Sequence, residues 1–371
     1  MVVGISRENR GLLGQWWWTV DRVALFAFSL LIVFGILLAI AATPMVAEHI
    51  GLEKFYFLKR HLLYIVPTLL IIFFVSVIDI SSIKKLSLVL YFVSMFFTLF
   101  TLFVGTEIKG AHRWLSLGGF SIQPSEFVKP ALSVLTAWML SKQNKIPEFR
   151  GNFLSMLFLV GFISLLVFQP DVGMIVVVLS VWFEQLFLNG LPIIFIFILA
   201  AIGISGVFLT YVFLPHVTAR IDKFLDPAVG DHYQINMSLE AFANGGLFGV
   251  GPGEGIIKKH LPDAHADFVF SVLGEEFGFF ICSFVIILIA FIVIYEMLKI
   301  IKENDTFILL ASVGLLTQFG LQAFINIASA LHIIPTKGMT LPFMSYGGSS
   351  MITNSITAGM ILALGRKRIL N

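Results

Sequence analysis

Three groups of polar residues interrupt an otherwise apolar chain at spacings that could do chemistry. Asp267, Ser271 and Glu275 recur every four residues, so a helix that begins near Asp267 carries all three on one face. An aspartate at a helix start is most simply an N-cap, but Glu275, two turns deeper, implies a polar seam running into the protein. Glu126 and Lys129 follow Gln123-Pro124-Ser125, where proline suits a first helical turn and the three-residue spacing makes the two charges neighbours. Their plainest use is an intrahelical salt bridge. Lys129, one turn deeper, needs an acidic partner or an anionic ligand wherever water is scarce. Arg113 lies in Lys109-Gly110-Ala111-His112-Arg113-Trp114, and Arg220 opens a charged stretch with Asp222, Lys223 and Asp226. Ser345 belongs to Pro342-Phe343-Met344-Ser345-Tyr346-Gly347-Gly348-Ser349-Ser350, a small-residue seam compatible with a site nearby, to which Asn326 adds another polar side chain.

Other candidates carry less. The glycine run from Gly245 to Gly255 lacks the Lys-Ser or Lys-Thr of a phosphate-cradling nucleotide loop, so an ATP site of that kind is excluded and the glycines serve close backbone approach. Lys258 and Lys259 are expected on a solvated face. His260 and His265 are five residues apart with no firm third ligand, which is too little for a metal centre. Asp171, in Gln169-Pro170-Asp171, is expected to cap a helix rather than to catalyse.

The elements that position these groups must sit in lipid. Of 371 residues, 58% are hydrophobic and 12% charged, against roughly 45–50% and about 25% in a soluble domain. A spanning helix needs about 20 apolar residues, and ten apolar runs qualify: Arg22–Thr43, His61–Ile78, Leu86–Val104, Ser125–Leu140, Phe153–Phe168, Val172–Leu188, Leu191–Leu214, Phe268–Tyr295, Phe307–Ala330 and Tyr346–Leu364. The expected fold is an all-α polytopic integral membrane protein, one membrane domain over residues 1–371 with a large outer loop at about 215–266. Trp16-Trp17-Trp18 reads as an interfacial anchor before a first run that is retained in the mature protein. An even span count puts both termini on one side, and their Arg and Lys residues place that side in the cytoplasm. A net charge of +2 with scattered basic residues excludes a nucleic-acid partner, and the single Cys282 forms no internal disulfide.

Seven motifs, taken in chain order, resemble the SEDS family of bacterial envelope proteins (shape, elongation, division and sporulation). They are Lys109 to Trp114, Gln123-Pro124-Ser125-Glu126 with Lys129, Gln169-Pro170-Asp171, Tyr233-Gln234, the glycine run, Leu261-Pro262 through Asp267-Phe268, and Pro342 through Ser350. The segment Trp16 to Arg22 is similar to the division branch more than to the elongation branch. Two stretches depart from the family pattern: Val172-Gly173-Met174, where Leu-Gly-Thr is commoner, and Lys337-Gly338-Met339-Thr340, where Thr-Gly-Ile-Pro is usual.

The resemblance implies a peptidoglycan glycosyltransferase of the bacterial cytoplasmic membrane, acting at the division septum. It would polymerise lipid II and release undecaprenyl diphosphate, beside a class B penicillin-binding protein as transpeptidase and other divisome membrane proteins. Asp267 matches the family carboxylate and is expected as the general base. Lys129, Arg113 and Arg220 are expected to hold the diphosphate, Lys129 also pairing with Asp267 in the empty site, while Glu126, Glu275 and Ser345 complete the substrate-binding set. A divalent cation, Mg or Mn, would suit the leaving group, but no ligand set identifies a site. The rival readings are a lipid II flippase, an elongation-type polymerase and a recruiting scaffold. A flippase needs polar groups open to both sides, whereas nearly all the candidates lie on the outer face, and a scaffold leaves Lys129 and Glu275 unexplained.

Overall fold

The computed structural model describes residues 11–49, 51–108, 111–117, 120–213, 218, 233–335 and 338–367. Each of the ten apolar runs is a helix: α2 (Arg22–His49), α3 (Tyr56–Val77), α4 (Ile80–Val104), α5 (Pro124–Lys145), α6 (Gly151–Phe168), α7 (Val172–Leu188), α8 (Ile193–Phe213), α10 (Val269–Ile300), α11 (Thr306–Ala330) and α12 (Gly348–Leu364). A short α1 (Leu12–Thr19) precedes them, and α9 (Tyr233–Gly245) lies in the long gap between α8 and α10. Among the described residues, six helices (α2, α3, α4, α6, α10 and α11) are long and apolar enough to cross a membrane, and α7 and α12 are shorter apolar helices.

Local capping sets several helix limits that hydropathy misplaces. α4 begins at Ile80, six residues before the apolar run, because Asp79 accepts hydrogen bonds from the amides of Ser81 at 3.0 Å and Ser82 at 3.4 Å. The Ser82 bonds hold the Asp79 carboxyl below the usual carboxylate range. Asp171 caps α7 through the Met174 amide, and Pro124 occupies the first turn of α5, both as the sequence predicts. Polar content then sorts the helices. α5 carries Ser125, Lys129, Ser133, Thr136 and Ser141, all buried, and could not face lipid at tolerable cost. It sits centrally, packed by α4, α6, α7, α11 and α12.

Two features depart from the all-helical expectation. Between α4 and α5 the chain forms a three-stranded antiparallel sheet, β1 (Thr106–Ile108), β2 (Ala111–Leu117) and β3 (Phe120–Ile122), with Thr106 opposite Trp114 and Leu115 opposite Ile122. Lys109-Gly110 and Gly118-Gly119, which stand between these strands in the sequence, lie outside the described residues, and glycine at such positions is a hairpin signal. The second feature is a break in α10 at Gly278, where φ is 76° and ψ −176°.

The glycine run repairs that break. The amides of Val250 and Gly251 donate to the carbonyls of Glu275 and Glu276, each at 3.0 Å, and the Phe279 amide donates back to Gly246 O at 2.9 Å. Such contact needs bare backbone. A Cβ on Gly249 would lie 2.2 Å from Glu276 O, and one on Gly278 would lie 2.3 Å from Gly249 N. Lys258 corrects an expectation: it is only 2% exposed. Its ammonium pairs with Glu276 and donates to Ala41 O at 2.9 Å, while Lys259 is exposed.

Gly278→Ala is therefore expected to lower the thermal unfolding transition in detergent sharply, by an amount equivalent to more than about 3 kcal/mol, since it adds a positive-φ penalty to a backbone clash. Gly203→Ala on α8, where a new methyl meets nothing within 4 Å, should leave the transition in place. Equal melting of the two variants would show that the loop does not hold the break.

Candidate active site

The start of α5 brings the first charged pair inside the bundle. Glu126 and Lys129 form an ion pair at 2.8 Å, the three-residue geometry expected from sequence. Lys129 is 2% exposed, and its ammonium also donates to Gln322 Oε1 on α11 at 2.9 Å. Gln322 passes the contact outward: its amide nitrogen donates to Thr340 O at 3.1 Å and to Ser350 Oγ at 3.3 Å. Below Lys129, a cavity with room for about one water is lined by Ser133, Thr136, Gln185 and Gln318 as well as apolar side chains.

Asp267 lies in a tight turn before α10. Its amide and that of Ala266 both donate to Asp263 O, at 3.0 and 2.9 Å, and Asp263 itself has φ of 54°. The N-cap of α10 is Phe268, not Asp267, so Asp267 stands one residue outside the cap and off the helical face that carries Ser271 and Glu275. Its carbonyl accepts from Asn326 Nδ2 at 2.9 Å, and the same nitrogen donates to Met339 O at 2.6 Å. The carboxylate is half-buried beside Gly338, where a Cβ would lie 3.4 Å from Oδ2.

Ser345 fastens this turn rather than facing a ligand. Its hydroxyl donates to Ala266 O at 2.7 Å and accepts from the Leu341 amide at 2.8 Å. The Tyr346 amide adds a bond to His265 O at 2.9 Å. The His265 ring packs against Phe57 and Tyr346, and burial pushes its imidazole below the usual histidine range, toward the neutral form.

The structure gives other expected site residues different work. Glu275 is fully buried, and its carboxylate accepts from Asn244 Nδ2 and from the amides of Ile256, Ile257 and Lys258, at 2.7 to 3.0 Å. It anchors the 3-10 turn Ile257–Lys259 through amides that a helical turn leaves without intrahelical partners. Arg113 donates to Gln169 O at 2.8 Å and Pro170 O at 2.7 Å and lies 3.5 Å from the Asp171 carboxylate, so it clamps β2 to the link between α6 and α7. Arg220 lies outside the described residues. The ammonium of Lys129 pairs with Glu126, not with Asp267 as expected for the empty site. Among the described residues no three His, Cys, Asp or Glu side chains converge as a metal site.

Gln322 and its link to Lys129 escaped the sequence reading, which noticed only Asn326. The signal was present: Gln318, Gln322 and Asn326 recur every four residues on an apolar helix, and all three are buried.

Comparison with known proteins identifies the family of the chain. A family model described as cell cycle protein, of the FtsW, RodA and SpoVE type, matches residues 21–369. A probable peptidoglycan glycosyltransferase FtsW of Caulobacter vibrioides (strain NA1000 / CB15N) is 43% identical over 98% of this chain and 93% of its own. A probable peptidoglycan glycosyltransferase FtsW of Geobacter sp. (strain M18) is 35% identical over 92% and 95%. Among solved structures, a chain from work on structural coordination of polymerization and crosslinking by a peptidoglycan synthase complex superposes with a TM-score of 0.75 at 26% identity, covering 93% of this chain and 97% of that one. The rod shape determining protein RodA of Thermus thermophilus gives 0.67 at 25% identity, over 94% and 97%. With the match running from Asp21 almost to the C-terminus, across both the Lys129 pair and the Asp267 turn, the chain belongs to the FtsW, RodA and SpoVE family of multi-pass membrane proteins, the SEDS family that its motifs resemble.

Proposed function

We propose that this protein is a peptidoglycan glycosyltransferase of the division type, polymerising lipid II into glycan strands. The naming of its relatives supports the reaction. The observation that carries the assignment to residues is the Asp267 turn, a half-buried carboxylate held through its own carbonyl by Asn326, with glycine at the facing position 338. Asp267 takes the proton of the acceptor sugar hydroxyl as that oxygen bonds to the donor's anomeric carbon. The bond from that carbon to the diphosphate oxygen breaks in the same displacement, the diphosphate keeps the electron pair, and an α-linked donor yields a β-linkage. Lys129 acts from behind this site, holding Gln322 so that Thr340 and Ser350 keep their places. The domain spans residues 1–371 with ten membrane-crossing helices. Both termini are cytoplasmic, and the gap at about 215–266 is periplasmic. Its partners are a class B penicillin-binding protein, as the peptidoglycan synthase complex among the similar structures suggests, and other divisome proteins at the septum.

Asp267→Asn is expected to fold, bind lipid II and lose glycan synthesis by about 10²–10⁴-fold, because an amide cannot accept the proton. Near-normal polymerisation of purified lipid II by this variant would remove Asp267 from the chemistry. Lys129→Met leaves the Glu126 carboxylate without its ammonium, which should cost about 3–5 kcal/mol of stability. The double change Glu126→Gln with Lys129→Met should regain the thermal transition yet polymerise at least about tenfold more slowly, as expected when a charge-assisted hydrogen bond is lost. Recovery of both stability and rate would make the pair purely structural. For topology, Gly230→Cys in a Cys282→Ser background should react with an impermeant thiol reagent in intact spheroplasts while Asn371→Cys does not. The reverse labelling would invert the orientation.

A further inference from the structure

Cations expected to meet the substrate's charge are matched by carboxylates inside the fold, Lys129 by Glu126 and Arg113 by Asp171. Another cation stands closer to the Asp267 turn. Arg60, in the second turn of α3, is half-buried with its guanidinium 4.7 Å from the centre of the Tyr56 ring, and its charge acts on the nearby Tyr346 hydroxyl. Phe57 connects this group to the catalytic loop, its ring 4.7 Å from His265 and 5.0 Å from Tyr346. Tyr64, one turn along α3, packs over Gly348, where a Cβ would fall 2.3 Å from the Tyr64 ring. The chain segments interlock as well: Tyr346 bonds to His265 O, Ser345 bonds to Ala266 O, and Asp267 is the next residue. The ring cluster therefore adjoins the proposed base within two residues, about 7 Å of extended chain.

We propose that Arg60, framed by Tyr56, Tyr64, His265 and Tyr346, is the binding subsite for the diphosphate of a polyprenyl-linked sugar donor. The assignment rests on the glycosyltransferase reading above and adds the residue that holds its leaving group. A guanidinium offers a planar fork of donors that matches phosphate oxygens two at a time, and the Tyr56 ring backs it before the anion arrives. Depth on α3 indicates a lipid-borne anion. Along the helix below Arg60 the same face carries half-buried Tyr64, Pro67 and Ile71, and the stripe beside it, Leu63, Val66, Leu70 and Phe74, is exposed and apolar. A diphosphate at Arg60 can run its hydrocarbon chain along that stripe while the sugar reaches toward Asp267. Charge that builds on the departing diphosphate then develops against a fixed cation.

The test is equilibrium binding of undecaprenyl diphosphate to the full-length protein in nanodiscs, with inorganic diphosphate as a second ligand. Arg60→Gln is expected to weaken undecaprenyl diphosphate binding by about 10–100-fold, the loss typical of a charged hydrogen-bond partner. Arg60→Lys should lose less, and Gly203→Ala on α8 should bind like the wild type. Inorganic diphosphate should bind the wild type much more weakly, and equal affinity for both ligands would overturn the assignment to a lipid-carried anion. Unchanged affinity in folded Arg60→Gln overturns the subsite. If that variant loses its thermal transition, Arg60→Lys decides, with wild-type affinity counting against the proposal. The readout needs no turnover, so failure of the wild type to polymerise lipid II would reject the enzymatic reading while leaving the subsite to stand or fall on binding.

Discussion

Water is absent at membrane depth, so every polar group placed there must find its partner within the protein. Two amides one turn apart on α11 meet that demand around the Asp267 turn. Gln322 accepts from Lys129 and donates to Thr340 and Ser350; Asn326 donates at once to Asp267 O and Met339 O. A carboxamide suits this task because it is neutral, costs less to bury than a charge, and both gives and accepts hydrogen bonds. Through these two side chains α11 joins the start of α5, the turn before α10 and the segment leading into α12. Four pieces of chain far apart in sequence are thereby held in register around one carboxylate.

Backbone obeys the same constraint. A break in α10 would leave amides and carbonyls unpaired inside the bundle, and the loop from Gly246 to Gly251 supplies their partners. Glu275 and Glu276, just before the break, tie that loop down from the side-chain direction, one through three amides and the other through Lys258. The outer end of α10 is thus a composite of helix and loop. Because the Asp267 turn is continuous with it, the stiffness of the composite limits how far the proposed base can wander, and a displacement of even about 1 Å in a catalytic group is costly.

What could be seen in the sequence followed from local rules. Ten apolar runs became ten helices, and Pro124 and Asp171 took the helix-start positions their residue types favour. The Glu126 and Lys129 pair followed from spacing alone. What escaped notice depends on partners distant in the chain. Arg113 meets a link that begins 56 residues away, Glu275 is engaged by amides 17 to 19 residues upstream, and Lys258 reaches a carbonyl 217 residues away. Each looked like a free charge because a sequence displays the group and not its counterpart. The sheet was missed for another reason. Two of its strands have three residues each, too short for an alternating pattern to show in the sequence.

Glu275 and the proposed base Asp267 are two carboxylates held in different ways. Eight residues separate them, and a single uninterrupted helix would have placed both on one face. Beginning the helix at Val269 instead, with Phe268 as its cap, removes Asp267 from that face. Had Asp267 been the cap, its oxygens would have been turned toward the first amides of α10, as the oxygens of Glu275 are turned toward the 3-10 turn. Asp267 is secured through its peptide carbonyl, by Asn326, which fixes where the side chain starts. Holding the proposed base by its main chain gives it the positional precision that proton transfer needs.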